Sequence, residues 1–223
     1  MVSRLPYAAG ALIVSCQARP GNPLHGPEPM ALMAKAAVDG GAAGIRANGP
    51  ADIAAIRAEV SVPIIGIHKV GDPGGVFITP TVESAAEVVR AGADLVAIDA
   101  TLRPRPNGHS LASQIQWIHS ELGVPVLADV DSVESAVAAR DAGADAVATT
   151  LSGYTNGPVP PEPDVRLVAD LVAKLDCEIV AEGRYRTASD VRAALDAGAH
   201  AVVVGTAITN PLAITRWLVE AMR

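Results

Sequence analysis

The stretch AGADLVAI, Ala91–Ile98, decides the fold, because it joins a helix end written Gly-Ala directly to an apolar strand. The same signature recurs as GGAAGIRA from Gly40, AGADAVAT from Ala142 and AGAHAVVV from Ala197. Successive copies are 51, 51 and 55 residues apart. A strand–helix unit needs roughly half that span, so each period holds two units and the four periods hold eight. The pattern predicts strands at 11–17, 43–47, 63–69, 93–99, 124–129, 144–150, 178–182 and 199–205, alternating with helices. Helix N-caps are expected at Thr81, Asp131 and Asn210, the last ahead of Pro211 at the first helical position. A (β/α)8 TIM barrel, one domain over residues 1–223, is the expected architecture; a doubly wound open sheet would usually have fewer strands.

Composition narrows the function. Half of the residues are hydrophobic but only 3% are aromatic, so the core is built from small aliphatic side chains. A net charge of -7 argues against a nucleic-acid surface, although a locally positive pocket could still take an anionic small molecule. Cys16 and Cys177 show no metal-ligand spacing, and reduced core thiols are expected. With neither a leader nor an apolar run long enough to span a bilayer, the expectation is a cytoplasmic protein with no membrane partner.

Lys69 ends the run PIIGIHK and is one of three lysines; Lys35 and Lys174 fall in amphipathic helices. In a barrel the carboxyl ends of the strands converge. That brings Lys69 together with Gln17, Arg46, Asp99, Asp129, Thr149, Thr150 and Glu182. A lysine partly desolvated beside Arg46 has a lowered pKa and becomes a usable general base, with Glu182 and Asp129 as partners. His68 points to the opposite face and is expected to pack on helices. Gly183, Arg184, Gly205 and Thr206, after the seventh and eighth strands, match the place where barrels commonly seat a phosphate. No metal site is expected, because no histidine joins the mouth carboxylates.

These residues lie in stretches that resemble one family, the N-acetylmannosamine-6-phosphate 2-epimerases of sialic-acid catabolism. The matching stretches are GALIVSCQ, PLHGP, GIRANG, VPIIGIHK, FITPT, DAT, LAD, TTLSGYT, AEGRY and VVVGTAIT, which span nearly the whole chain in order. The resemblance implies an isomerase that needs no cofactor and interconverts N-acetylmannosamine 6-phosphate and N-acetylglucosamine 6-phosphate. It implies Lys69 as the acid/base and Glu182 as its assistant. Gln17, Arg46 and Asp129 are implied to bind the sugar, with Thr150 beside them; separately, the apolar last helix with Trp217 and Leu218 suits either a homodimer interface or core packing. Three departures from the family pattern stand out: His68 where an isoleucine is usual, Asn210 where an arginine is usual, and VGDPGG after Lys69. A Schiff-base aldolase using Lys69 and a non-catalytic sugar-phosphate binding barrel are the alternatives.

Overall fold

A computed structural model describes residues 4–106, 108–155 and 157–223; Asn156, in the long loop after the sixth strand, lies outside them. Among the described residues eight parallel strands close into a barrel in sequence order. They are β1 (Ala11–Cys16), β2 (Gly44–Asn48), β3 (Ile64–Ile67), β4 (Leu95–Asp99), β5 (Val126–Asp129), β6 (Ala146–Ala148), β7 (Glu178–Glu182) and β8 (Ala201–Val204). The barrel closes where β8 pairs with β1, Val204 opposite Val14. The helices are α1 (Pro27–Asp39), α2 (Pro50–Glu59), α3 (Val82–Arg90), α4 (Leu111–Trp117), α5 (Val133–Asp141), α6 (Val165–Lys174), α7 (Ala188–Asp196), α8 (Thr206–Thr209) and α9 (Pro211–Glu220). A π-helical turn at Ile118–Leu122 carries α4 onward to Gly123, whose left-handed φ of 67° ends it.

Two apolar layers hold the barrel together. Residues such as Val14, Ile45, Val96, Ala128, Val147 and Val202 face the helices. Ile13, Ile65, Leu95, Leu127, Val180 and Ala201 fill the interior, alternating with the first set along each strand. The interior is stoppered from below by the segment ahead of β1, which buries Leu5 and Tyr7. Gly44 makes room for that stopper: a Cβ there would lie 2.4 Å from Cε1 of Tyr7.

The expected caps hold at Thr81 and Asn210 but not at Asp131. Ser132 caps α5 through a reciprocal capping box with Ser135, and Asp131 instead accepts the Ser135 hydroxyl from outside the helix. The short helix α8, between β8 and α9, has no counterpart in the expected element order. No helix among the described residues is long and apolar enough to cross a membrane.

Candidate active site

Arg46, in the middle of β2, is 1% exposed, and its side chain reaches across the barrel interior. Its Nη1 donates to Asp129 Oδ1 at 3.0 Å and to Glu182 Oε2 at 2.8 Å, while Nη2 donates to Asp129 Oδ2 at 2.5 Å. Burial works against its charge, but Asp129 and then Glu182 outweigh it and hold the guanidinium pKa above the usual arginine value. Thr150 closes the cluster, its hydroxyl lying 2.6 Å from Asp129 Oδ1 and 3.2 Å from Glu182 Oε2. The structure sets Arg46, expected to bind the sugar, within this carboxylate cluster. Its bonds go to carboxylates, and almost none of its surface is open.

Lys69 lies across from this cluster. The parallel pairing of β3 stops at Ile67, two residues earlier than expected, and the chain turns into a hairpin above the mouth. Thr79, at a left-handed φ of 46°, pairs with His68 through its N–H and its hydroxyl. Lys69 stands opposite Ile78 in an antiparallel bridge, and its N–H donates to Asn48 Oδ1 at 2.9 Å. The residue keeps an exposed flank. Its amine, however, turns inward and donates to Gln17 Oε1 at 2.7 Å, and Gln17 in turn donates to Ser15 Oγ at 2.8 Å. Burial of the amine, and then the charge of Arg46, lower the Lys69 pKa to about 8. Burial, reinforced by Asp129 and opposed by Arg46, raises that of Glu182 to about 7. The two groups thus approach each other from opposite sides of neutrality, which suits proton exchange.

Other expected mouth residues are occupied elsewhere. Asp99 is fully buried and accepts from Thr101 N, Thr101 Oγ1 and Arg103 Nη2. Arg103 also reaches Gly74 O at 3.2 Å, fastening the hairpin to the loop after β4. Arg105 donates to Asp99 O and to the side chain of Gln114, which itself donates to Thr79 O. Thr149 binds the backbone of Glu182 in both directions and so locks β6 to β7. His68 lies 2.9 Å from Glu87 on α3, outside the mouth as expected.

The expected phosphate ligands divide into two places. Gly183 and Arg184 adopt left-handed φ values of 110° and 65°, which turn Arg184 toward the loop after β6. There its Nε donates to Glu162 O at 2.6 Å, its Nη1 to Ser152 O, and its guanidinium lies 5.3 Å from the Tyr154 ring centre. Arg184, expected as a phosphate ligand, is thus engaged by this loop. Gly205 and Thr206 sit instead against β1, where a Cβ on Gly205 would meet Ser15 Cβ at 3.3 Å. Asn210 accepts from Ala213 N and from Asn22 Nδ2. Asn48, Ser15 and Arg19 escaped the strand-end reading because it singles out one polar residue per strand. Among the described residues no cluster of His, Cys, Asp and Glu side chains is arranged to hold a metal ion.

Comparison with known proteins agrees with this geometry. Residues 30–223 match the family model described as "Putative N-acetylmannosamine-6-phosphate epimerase". Relatives named "Putative N-acetylmannosamine-6-phosphate 2-epimerase" include one from Cutibacterium acnes, 50% identical over 96% of this chain and 95% of its own length. Another, from Caldanaerobacter subterraneus, is 48% identical over 95% of this chain and 91% of its own length. The solved structure of the N-acetylmannosamine-6-phosphate 2-epimerase from Clostridium perfringens superposes with a TM-score of 0.92 at 39% identity, covering 96% of this chain and 94% of that one. With the family model matched over most of its length and half of its residues shared with a full-length relative, this chain belongs to the N-acetylmannosamine-6-phosphate epimerase family.

Proposed function

We propose that the protein interconverts N-acetylmannosamine 6-phosphate and N-acetylglucosamine 6-phosphate by moving a proton at C2. The observation that carries this is the placement of Lys69 and Glu182. The lysine follows β3 and the glutamate ends β7, and these strands are diametrically opposed in a closed barrel of eight. Inversion at carbon needs a base on one face and an acid on the other, and a sugar lying across this mouth meets both.

In the open-chain sugar the C1 aldehyde acidifies the C2 hydrogen. Neutral Lys69 takes that proton, and the ammonium so formed faces the enolate and offsets its charge. Glu182, whose raised pKa keeps it partly protonated near pH 7, gives a proton to the opposite face. Arg46 acts on the carboxylates rather than on the sugar, setting the positions and charges of Asp129 and Glu182. Gln17 holds the Lys69 amine until substrate displaces it. The phosphate sits where β8 gives way to α8, at Gly205 and Thr206.

Family membership favours this reading over a Schiff-base aldolase or a non-catalytic binding barrel. Turnover in D2O tests it by NMR: the product carries deuterium at C2, and a product without it would refute the scheme. A sugar deuterated at C2 and converted in H2O separates the two-base route from a one-base route, because only the latter returns label to the product.

A second copy of the chain covers α9. None of the residues of that helix is buried, and Leu212, Leu218 and Val219 are exposed on it, as Leu32 is on α1. Light scattering then gives a homodimer, and Leu218→Glu gives a monomer; a monomeric parent chain would count against the interface. The protein acts in the cytoplasm, as expected of an enzyme of sugar catabolism.

A further inference from the structure

A phosphate monoester dianion is held more tightly when a cation joins the backbone donors, and most cations around the mouth of this chain of net charge -7 are already engaged. Arg46 is held by two carboxylates, Arg103 by Asp99, Arg105 by Asp99 O and Gln114, and Arg184 by loop carbonyls. Arg19, in the loop after β1, is different. It is exposed, and among the described residues its guanidinium makes neither a hydrogen bond nor an ion pair.

The loop links Arg19 to the Lys69 amine on one side and to the start of α9 on the other. Two residues before it, Gln17 holds the Lys69 amine. Its own carbonyl accepts from Asn22 N at 3.0 Å, and the Asn22 side chain reaches Asn210 Oδ1 at 3.3 Å, at the start of α9. Beneath the loop, Thr209 Oγ1 donates to Ser15 O at 2.8 Å, which keeps α8 against β1. Arg19 therefore stands in a short bridge from the catalytic amine to the α8–α9 junction. Its positive charge is also felt at Lys69.

We propose that Arg19 binds the substrate phosphate. This rests on the epimerase reading above and assigns the charged ligand which that reading lacks once Arg184 is turned away. The unpaired guanidinium gives a bidentate grip on phosphate, and its loop gives the reach to close on the C6 end of a sugar whose C2 lies at Lys69.

The test compares the parent protein, Arg19→Ala and Arg19→Lys on N-acetylmannosamine 6-phosphate and on N-acetylmannosamine, with calorimetry of inorganic phosphate alongside. Loss of one charge-assisted contact raises KM for the phosphorylated sugar by roughly 10- to 100-fold in Arg19→Ala, with kcat within about twofold. Kinetics on the unphosphorylated sugar stay level, phosphate binding weakens in step, and Arg19→Lys recovers part of the loss. An unchanged KM, or an equal loss on both sugars, overturns the proposal. The calorimetric arm needs no turnover. If phosphate bound through Arg19 in a protein that did not epimerise, the epimerase reading would fall and this assignment would stand. Epimerisation with KM unchanged in Arg19→Ala would do the reverse, keeping the epimerase and removing Arg19 from the phosphate.

Discussion

Two groups of residues at the barrel mouth are built in opposite ways. Arg46, reaching across the interior from β2, joins Asp129, Thr150 and Glu182 at the ends of β5, β6 and β7 in a buried cluster in which each member is bonded to another. On the side of β1, β3 and β8, Lys69 hangs from a hairpin, its amine held by one glutamine, with Arg19 open to solvent. The first group is preorganised and the second is free to adjust. Proton transfer needs both: a carboxyl whose pKa is set in advance, and an amine able to leave one partner for a substrate.

That contrast predicts which change damages activity and which damages stability. Lys69→Met removes the base from the adjustable group, so kcat falls by about 10²- to 10⁴-fold while Tm does not drop; steady-state kinetics with a melting curve check both. Arg46→Met strikes the locked group and leaves two carboxylates buried together, costing about 3–5 kcal/mol in denaturant unfolding. Should Arg46→Met unfold no more easily than the parent, the cluster would not be the rigid group. Arg103→Ala frees the hairpin tip at Gly74 and strips a buried Asp99 of its ion pair. It costs about 1–3 kcal/mol and lowers kcat more than it raises KM. Asn210→Arg removes the cap of α9 at about 1 kcal/mol but adds a cation near the phosphate, so Tm falls slightly while KM for the phosphorylated sugar also falls.

The pH dependence of stability sharpens the comparison with the smallest effect. Lys69 has its pKa lowered from 10.5 to about 8, so between those values the unfolded chain holds a proton that the folded one has lost. Stability gains from this group as pH rises through that window. Glu182 is raised from 4.5 to about 7, so the folded chain holds the extra proton and stability declines as pH rises from 4.5 toward 7. Both penalties coincide at pH 7–8. A Lys69→Met protein melts higher than the parent there, and the gap closes as pH rises toward 10.5; a constant gap would show that the amine is not desolvated.

The Gly-Ala repeats made the barrel legible because each marks a helix handing over to a strand, and closure then dictates which strand ends meet. Gln17, Arg46, Lys69, Asp129, Thr150 and Glu182 follow from that rule and do converge. What it could not convey is where each side chain spends its hydrogen bonds. The segment VGDPGGVFIT, read as a plain loop, pairs back on itself and lifts Lys69 off β3. Position after the seventh strand did not convey that Arg184, following a positive φ at Gly183 and with one of its own, bonds to the loop after β6. Arg19 belongs to no periodic element, so only the absence of a partner marks it out.

The stopper of Leu5 and Tyr7 lies outside the repeating units, yet it seals the floor beneath the charged cluster. A chain trimmed past Tyr7 would bare the lowest layer of the packed interior to water, thinning the apolar shield beneath the guanidinium that organises the carboxyls. Catalytic tuning at one end of the barrel thus depends on a cork at the other, contributed by residues that precede the first strand.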